Sequence, residues 1–405
     1  MVSLDVIPSN LHIFVRSNDS NGSDGGRNSC DPGARMGRAV VVGGGVFGVT
    51  AALALRRRGL SVELVDQGPI PAPLAESTDV SKVVRADYGA DETYAEMGER
   101  AIEGWRRLNA EWGEPLFHET GVLFVTRAPM APGGFEYESH ACLTRRGHRL
   151  QRVDAAELRA RFPAWSSGAY VDGYFNPQGG WVESGRVVAR LVSRARDEGV
   201  TVRENARVDD LAAARAHADV TVIACGSWTP ELVPELAPEL RRVGQPVFHL
   251  VPEDASLFDS PQFVVFGADL SNTGWYGFPL SPGGIVKVAN HGIGRAVAPG
   301  AAVTADDEAA VRAFLRQTFP ALAGARLSYT RVCVYSDTAD EHFWIAPHPD
   351  DPTFVVAGGG SGHAFKFAPL LGDMIADAVE GRVVPRFRWR GGRPARGEEA
   401  SRHRA

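Results

Sequence analysis

The sequence predicts a two-domain α/β protein, in which a parallel sheet is accompanied by an inserted domain built on an antiparallel sheet. The first observation is the apolar run Ala39–Val42, which precedes a glycine-rich turn and is typical of a strand buried on both faces. The second is the return of apolar strands near residues 220 and 353. The third is a series of short strands and turns between Pro246 and Val288, which indicates antiparallel pairing.

The opening unit has the pattern of a Rossmann-type dinucleotide site. Its turn, GGGVFG, fits G-x-G-x-x-G with glycines at 43, 45 and 48. Gly43 allows the tight turn, Gly45 lets the backbone approach a pyrophosphate, and Gly48 lets the following helix pack close to the strand. Asp66 ends the second strand, 18 residues after Gly48, where it can accept hydrogen bonds from a ribose. The motif alone does not choose between FAD and NAD(P).

Apolar periodicity and capping residues predict the remaining elements in order. The first helix ends at Arg56–Gly59, where basic residues precede a glycine. Residues 127–148 are rich in Gly, Pro and polar side chains and predict a loop or a short helical excursion. Further predicted helices are Thr93–Trp112, Ala155–Arg161 capped by Asp154, Ser184–Glu198, Ala305–Leu315 and Ala368–Glu380. Predicted strands are Ser61–Val65, Val122–Val125, Val200–Glu204, Val220–Ala224, Arg331–Tyr335 and Thr353–Ala357.

These elements predict a discontinuous nucleotide-binding domain, made of residues 37–90, 184–240 and 326–385, and a substrate-binding domain, made of residues 91–183 and 241–325. The first 35 residues are rich in Ser, Asn, Asp and Gly and lack the pattern of a signal peptide, so we expect a disordered extension. Residues 386–405 carry seven Arg against two Glu, which predicts a basic flexible tail.

Composition excludes several classes of protein. The 405 residues are 44% hydrophobic and 23% charged, as in ordinary globular domains, and the net charge of −6 does not favour nucleic acid as a partner. The four cysteines match no metal-ligand spacing and predict neither a metal site nor a disulfide framework, which suits the reducing cytoplasm. No run of 18 apolar residues exists, so the sequence predicts no membrane span.

Six further stretches occur in an order that resembles the D-amino-acid-oxidase-like flavoproteins, and specifically the monomeric sarcosine oxidase branch. That branch includes N-methyltryptophan, pipecolate and fructosyl-amino-acid oxidases, and the resemblance covers about residues 37–385. The stretches are SKVVR (81–85), YGFP (276–279), Lys287 with His291, VCVY (332–335), DEHF (340–343) and SGHAFKF (361–367). The resemblance implies FAD as the cofactor. The cofactor-binding residues that it implies are Gly43, Gly45, Val46, Phe47, Gly48, Asp66, Ser81, Lys82, Cys333, Gly360, Gly362, His363, Phe365 and Lys366.

Cys333 matches the cysteine that forms a thioether to the flavin 8α-methyl group in the sarcosine oxidase branch, so the resemblance implies covalent FAD. The thiol must ionise and attack an electron-poor methyl carbon, which an electropositive pocket favours. The alternative is a small buried hydrophobe on a strand. One departure is that Ser77-Thr78 replaces a pair of histidines before the basic motif.

Lys287 corresponds to the lysine that holds a water near flavin N5 and promotes the reaction with oxygen. A cation there would stabilise the negative charge that develops as reduced flavin passes an electron to O₂. The alternative is a solvated lysine on an edge strand.

Arg85 and Lys366 match the pair of cations that binds the substrate carboxylate, where charge-assisted hydrogen bonds are strong. Either residue could instead be an ordinary salt-bridge partner. Lys366 lies between Phe365 and Phe367, which is an unusual place for a surface charge.

Two departures leave the substrate open. Lys82 replaces an arginine over the flavin ring, and the sequence Asp79-Val80-Ser81-Lys82 is closer to the fructosyl-amino-acid and saccharopine oxidases. Trp275 takes the place of an active-site tyrosine. His291 matches a pocket histidine and Tyr335 is a polar aromatic near the substrate, although a core histidine and a packing aromatic are the alternatives.

We therefore predict an FAD-dependent oxidase of secondary amino acids, N-alkyl or cyclic, that forms an imine and reduces O₂ to hydrogen peroxide. Catalytic roles are assigned to Lys287, His291, Arg85, Lys366, Tyr335, Lys82 and Trp275. We expect a cytoplasmic monomer whose partners are an amine substrate and O₂. The rivals are a deglycating or saccharopine-type oxidase, a biosynthetic tailoring oxidase of a cyclic amine, and a flavin dehydrogenase with another acceptor. A non-catalytic FAD-binding protein and an NAD(P)-dependent reductase are disfavoured.

Overall fold

The computed structural model of the protein describes residues 37–166 and 168–391. In chain order, its strands are β1 (Arg38–Val42), β2 (Ser61–Val65), β3 (Lys82–Val84), β4 (Phe117–His118), β5 (Val122–Thr126), β6 (Gln151–Arg152), β7 (Asp172–Asn176), β8 (Gly180–Val182), β9 (Thr201–Arg203), β10 (Val220–Ile223), β11 (Leu240–Val251), β12 (Val265–Ala268), β13 (Trp275–Phe278), β14 (Val286–Asn290), β15 (Arg295–Ala296), β16 (Arg326–Thr338), β17 (Trp344–His348) and β18 (Asp351–Gly358).

The α-helices that the sequence predicted begin and end close to the expected positions, and three short ones, at residues 211–215, 229–232 and 270–273, were not predicted. The helices are α1 (Val46–Arg57), α2 (Glu92–Trp112), α3 (Phe135–Arg145), α4 (Ala155–Arg161), α5 (Ser184–Asp197), α6 (Leu211–Arg215), α7 (Thr229–Leu232), α8 (Leu270–Thr273), α9 (Ala305–Thr318) and α10 (Ala368–Val379). The carboxylate of Asp154 accepts hydrogen bonds from the N–H groups of Ala156 and Glu157, so the predicted N-cap of α4 is confirmed. Helix α3 is the helical excursion within residues 127–148.

A six-stranded sheet contains the opening unit. Its strand order is β17-β18-β10-β1-β2-β9, and every pair is parallel except β17 with β18. Strand β1 pairs with β2 on one side and with β10 on the other. The chain therefore leaves β1 toward one edge and returns on its opposite side, which creates a crevice at the carboxyl ends of the central strands.

Helix α1 packs against α10 with their backbones in close approach. A Cβ atom on Gly372 of α10 would lie 2.5 Å from the carbonyl oxygen of Thr50 in α1. The same core contains buried side chains of both helices and of the sheet, including Val49, Leu371 and Val41. Gly372 therefore lets α10 lie close to α1, and Gly48 lets the first turn of α1 lie close to the ends of β1 and β10.

A nine-stranded sheet forms the second layer. Its order is β15-β11-β14-β13-β12-β5-β7-β6, and β16 also pairs with β11. The pairs are antiparallel except β12 with β5. The antiparallel sheet predicted between residues 246 and 288 is confirmed, and so is the α/β class. Strands β3, β8 and β4 form a separate small sheet.

Strand β16 is longer than the sequence predicted, and it belongs to a different sheet. It pairs with β11 from Leu240 opposite Thr338 to Val251 opposite Arg326, so it belongs to the nine-stranded sheet. Its segment was expected in the nucleotide-binding domain, because the strand lies between elements that build that sheet. The proposed division of the chain into two domains stays a prediction.

The start of the predicted basic tail is packed against the rest of the protein. Phe387 is buried, Arg386 pairs with Asp91, and Arg390 pairs with Asp340. Residues 392–405 and the predicted extension at 1–35 lie outside the described residues. Within the ranges 37–166 and 168–391, no helix is both long enough and apolar enough to cross a membrane.

Replacing Gly372 by Ala should lower the free energy of unfolding by about 1–3 kcal/mol, because the added methyl group meets the backbone of α1. Thermal unfolding followed by circular dichroism measures the effect. Gly324→Ala is a matched control, since a Cβ atom there would meet nothing within 4 Å. Equal Tm values for the two variants would contradict this account of the helix crossing.

Candidate active site

A long cleft lies at the carboxyl ends of β1, β2, β10 and β18, where the strand order predicts a ligand site. We call it the strand-end cleft. Both the glycine-rich turn and the end of β16 contribute to its walls. Of the predicted cofactor-binding residues, those that line it are Gly43, Gly45, Val46, Phe47, Asp66, Lys82, Cys333, Gly360, Gly362 and Phe365.

The three motif glycines are required for different reasons. Gly43 has φ +105°, and a Cβ atom there would lie 2.4 Å from the carbonyl oxygen of Ala224. A Cβ atom on Gly48 would lie 1.8 Å from the carbonyl oxygen of Gly43. On Gly45, by contrast, it would meet only the hydroxyl of Ser77, at 3.3 Å. The fold itself needs Gly43 and Gly48, whereas the space beside Gly45 is open toward the cleft.

The N-terminus of α1 presents a positive dipole end to this cleft. Gly45 is its N-cap without a side-chain cap, and the first turn contains no acidic residue. The N–H of Val46 donates to Ser77 Oγ at 2.9 Å. Such an end suits a phosphate group.

Asp66 lies in the cleft with both carboxylate oxygens fixed by backbone groups. Oδ2 accepts from the N–H of Gly44 at 2.6 Å, and Oδ1 accepts from the N–H of Gly68 at 2.8 Å. The side chain therefore stabilises the glycine-rich turn. It also lines the cleft, where the motif predicts a ribose.

Glu76 is a cleft-lining carboxyl that the sequence analysis did not identify. Burial raises its pKa to about 8, although the nearby charge of Lys82 opposes this shift. The group is therefore largely neutral at pH 7, and a neutral wall is more compatible with an anionic ligand than a carboxylate would be.

A smaller cavity adjoins the cleft, and we call it the charged cavity. Lys82, Tyr335, Gly362 and Phe365 line both spaces, so a ligand in one can contact a ligand in the other. The basic and polar residues that line the charged cavity are Lys82, Arg85, Tyr276, Lys287, His291, Tyr335, His363 and Lys366. Its apolar walls are Val83, Val122, Phe124, Val265, Phe266, Leu270, Phe278 and Phe365. The described residues that line it include no Asp or Glu.

Arg85 and Lys366 reach the charged cavity from different elements. The Arg85 guanidinium carbon lies 4.9 Å from the ring centre of Tyr88 and 5.3 Å from that of Phe135. Lys366 Nζ donates to Tyr88 Oη at 2.8 Å and to the carbonyl oxygen of His363 at 2.7 Å. Tyr88 thus lies against both cations and orients them toward one space.

Lys287 lies on β14 and is buried, so it is not the solvated edge-strand lysine that was the alternative. Its Nζ donates to Asp79 Oδ2 and to the carbonyl oxygen of Ser81, both at 2.6 Å. Burial lowers the pKa of Lys287 to about 8, while the charge of Asp79 acts in the opposite direction.

Asp79 forms a buried ion pair with Lys287. Its Oδ1 accepts from His249 Nε2 at 2.9 Å and from the N–H of Val80 at 2.8 Å. Burial would raise the pKa of Asp79, but Lys287 and His249 outweigh it and hold this pKa well below the usual range. Asp79 is therefore a carboxylate with a donor on each oxygen.

Cys333 is buried on β16 and lines the strand-end cleft. Lys82 Nζ lies 3.6 Å from Cys333 Sγ. Tyr335, two residues along the same strand, shares its face and packs with Cys333 in one cluster. The ring centre of His291 lies 5.9 Å from that of Tyr335, so His291 belongs to the charged cavity too.

Trp275 is not brought into the charged cavity. Its ring stacks on Phe314, with ring centres 4.8 Å apart, on the other face of the sheet. The neighbouring Tyr276 lines the cavity instead. Because alternate residues of a strand face opposite sides, Tyr276 rather than Trp275 faces the charged cavity.

The chain contains three lysines against 40 arginines, and all three lysines line the charged cavity. This composition was a signal available in the sequence. Arginine serves the other basic positions, whereas a compact ammonium group occurs only at Lys82, Lys287 and Lys366. Asp79 and His249 carried no comparable signal, because their partners are distant in the chain.

Comparisons with known proteins agree with this geometry. The model of a family described as FAD dependent oxidoreductase (DAO) matches residues 38–378. Monomeric sarcosine oxidase from Bacillus sp. (strain B-0618) is 27% identical over 363 residues, which cover 85% of this chain and 92% of that protein. N-methyl-L-tryptophan oxidase from Salmonella dublin is 27% identical over 364 residues, with coverages of 85% and 95%.

Solved structures show the same fold. Fructosamine oxidase (Amadoriase II) from Aspergillus fumigatus superposes with a TM-score of 0.76 and 22% identity, covering 91% of this chain and 94% of that chain. Fructosyl peptide oxidase from E. terrenum gives a TM-score of 0.77 and 22% identity, with coverages of 91% and 95%.

Gly45→Ala should separate cofactor binding from folding, because its Cβ would enter the open side of the turn without meeting backbone. We expect the apo-protein to keep a Tm close to that of the wild type while its FAD content after purification falls. Absorbance at the flavin bands and thermal unfolding of the apo-protein measure the two effects. Gly48→Ala is the contrast, since it should lower the Tm itself. Full FAD loading of Gly45→Ala would contradict the assignment.

Proposed function

Because the chain belongs to the family of FAD-dependent oxidoreductases, we propose that it oxidises secondary amino acids, N-alkyl or cyclic, at the C–N bond. The observation that carries this proposal is the charged cavity, where buried Arg85, Lys366 and Lys287 surround a space that adjoins the strand-end cleft. The names of the relatives, which are oxidases of N-methylated amino acids, support the same class of substrate.

Arg85 and Lys366 are proposed to bind the substrate carboxylate. Two cations that both contact Tyr88 and line one cavity suit an anionic group, and charge-assisted hydrogen bonds are about twice as strong as neutral ones. Bound in this way, the substrate places its amine-bearing carbon toward Lys82 and Tyr335, which line both cavities. Phe124, Phe266 and other apolar walls exclude water from the bound substrate.

FAD, when bound, supplies the two-electron chemistry: it takes a hydride equivalent from the carbon next to nitrogen and returns the electrons to O₂. The nitrogen of the resulting iminium ion releases its one proton to water, and the imine then hydrolyses in water. The absence of Asp and Glu from the described lining means that no strong carboxylate base faces the substrate. A substrate amine that binds in its neutral form needs none.

Lys287 is proposed to promote the reaction with O₂. Its ammonium group lies among buried side chains, 4.7 Å from the ring centre of Phe278, where a positive charge acts strongly on nearby negative charge. Electrostatic stabilisation of the electron transferred to oxygen requires this lysine to be protonated.

A deglycating oxidase is the second candidate function. The Asp79-Val80-Ser81-Lys82 sequence favours it, since Lys82 lines both cavities. The aromatic and aliphatic walls favour an apolar N-substituent or ring over a sugar, because a polyol needs hydrogen-bond partners when it is desolvated.

The purified protein should release hydrogen peroxide with at least one member of a panel of N-methyl, cyclic, glycated and primary amino acids. A peroxidase-coupled assay measures the product, and the same panel with a dye acceptor under anaerobic conditions detects a dehydrogenase. Turnover with the dye but not with O₂ would establish the dehydrogenase alternative. Turnover with glycated amino acids alone would establish the second candidate.

Attachment of FAD through a thioether at Cys333 is the further part of this proposal. Sγ lies in the strand-end cleft with the Lys82 ammonium 3.6 Å away, which favours negative charge on sulfur as its proton leaves. Bond formation removes the thiol proton and one methyl hydrogen with two electrons, which O₂ can accept.

Acid precipitation of the holoprotein should leave the yellow colour in the pellet. Cys333→Ser should release FAD into the supernatant, because the serine hydroxyl cannot replace the thiolate. Cys225→Ser is the matched control, since Cys225 also lines the strand-end cleft and burial raises its pKa to about 12. Release of FAD from the wild type would exclude covalent attachment.

A further inference from the structure

We propose that Asp79, held in place by His249, fixes the position and the positive charge of Lys287. This role deepens the oxygen step of the proposed function and rests on it. Asp79 and His249 act through Lys287, so they are positioning residues rather than catalytic ones.

Burial and hydrogen bonds hold Asp79 in a fixed position against Lys287. The side chains of Asp79, His249 and Lys287 are 1%, 0% and 2% exposed, so the ion pair is shielded from water. Asp79 Oδ2 lies 2.6 Å from Lys287 Nζ, and Asp79 Oδ1 takes donors from His249 and from the backbone of Val80. A carboxylate bonded on both oxygens cannot rotate away from the ammonium without losing several buried hydrogen bonds.

The sheet register places His249 where it can hold Asp79. His249 on β11 lies directly opposite Lys287 on β14 and opposite Tyr329 on β16. The His249 ring stacks on Tyr329, with ring centres 3.8 Å apart and the planes at 13°. The stacking fixes the ring plane, so Nε2 stays directed at Asp79.

The protonation states follow from the contacts. Burial lowers the pKa of His249, although Asp79 opposes the shift, so the imidazole is neutral at pH 7. Its single proton is then on Nε2, because that atom donates to a carboxylate. The pair Asp79–His249 therefore carries one negative charge, which offsets the charge of Lys287.

Other charged and titratable groups face this cluster from two elements. Lys82 approaches from the segment that contains Asp79, while Cys333, Tyr329 and Arg331 approach from β16. Lys82 opposes protonation of Lys287, and Arg331 opposes protonation of His249. Among the groups that raise the pKa of Lys287, Asp79 contributes most.

Loss of the Asp79 carboxylate should lower the pKa of Lys287. Without it, burial and Lys82 both act against the ammonium, so the pKa of Lys287 falls below about 8. Because an opposite charge at this distance changes a pKa by about 1–3 units, Lys287 should become neutral at neutral pH and regain its proton in acid.

The first measurement reads the charge of Lys287 without turnover. The protein is labelled with [13Cε]lysine and titrated by NMR. The chain has three lysines, so the spectrum has three side-chain signals, and the signal that is lost in Lys287→Met belongs to Lys287. We expect the midpoint for Lys287 to fall by about 1–3 pH units in Asp79→Asn. A smaller fall is expected in His249→Phe, which keeps an aromatic ring against Tyr329 but removes the donor. Lys366 is the internal reference.

The second measurement follows the oxygen step without any substrate. Flavin reduced with dithionite is mixed with oxygenated buffer between pH 6 and 10, and reoxidation is recorded by stopped flow. In Asp79→Asn the rate should fall about tenfold at pH 8 and recover toward the wild-type value at pH 6. Asp79→Glu should restore part of the rate at pH 8. Lys287→Met should be slow at every pH.

Tyr170→Phe is the control for a structural effect, because it removes a buried hydrogen bond of 2.9 Å to Thr318 at a residue that lines neither cavity. It should lower the Tm and leave both pH profiles unchanged. An unchanged Lys287 midpoint in folded Asp79→Asn and His249→Phe would overturn the proposal. A shifted midpoint with reoxidation that does not depend on Lys287 would instead overturn the oxygen step and leave the positioning role intact.

Discussion

The buried carboxylate of Asp79 is the contact on which the arrangement of the two cavities depends. It connects the segment before β3 with Lys287 on β14 and with His249 on β11. Its backbone carbonyl also accepts from Ser184 Oγ and from the N–H of Gly185, at the start of α5. Breaking a buried ion pair by removal of one partner costs about 3–5 kcal/mol, so the pair couples the elements that supply its partners.

This assembly explains why the strand-end cleft and the charged cavity share a wall. Ser81 and Lys82 follow Asp79 in the chain, so the pairing of Asp79 also sets their positions. Lys82 then lies beside Cys333 of β16, and the carbonyl of Ser81 accepts from Lys287. A cofactor space and a substrate space in contact are what an enzyme that transfers electrons between two bound molecules requires.

Local patterns predicted much of the fold and part of the site. The glycine-rich turn, the end of β2 at Asp66 and helix α4 depend on neighbours in the sequence, and they lie close to where the patterns placed them. The lysines and Arg85 were reached through resemblance to known enzymes, and the structure brings them to one cavity.

The sequence could not reveal the contacts that depend on long-range register. His249 lies 170 residues from Asp79, and nothing in the local pattern of either residue indicates the other. Trp275 and Tyr276 are both aromatic, so composition could not decide which one faces the cavity. The membership of β16 in the nine-stranded sheet depends on its pairing with β11 rather than on its own sequence.

Strand β16 also fixes the distance between Cys333 and Tyr335. Cys333 and Tyr335 point to the same face, and successive same-face residues of a strand are separated by about 6.8 Å. If the flavin is tethered at Cys333, the distance from its anchor to this aromatic wall is set by backbone geometry and not by binding equilibrium. Other walls come from β5, β12 and β13 and can change shape while that distance stays constant. Such a division allows substrate preference to diverge in evolution without loss of the alignment between cofactor and substrate.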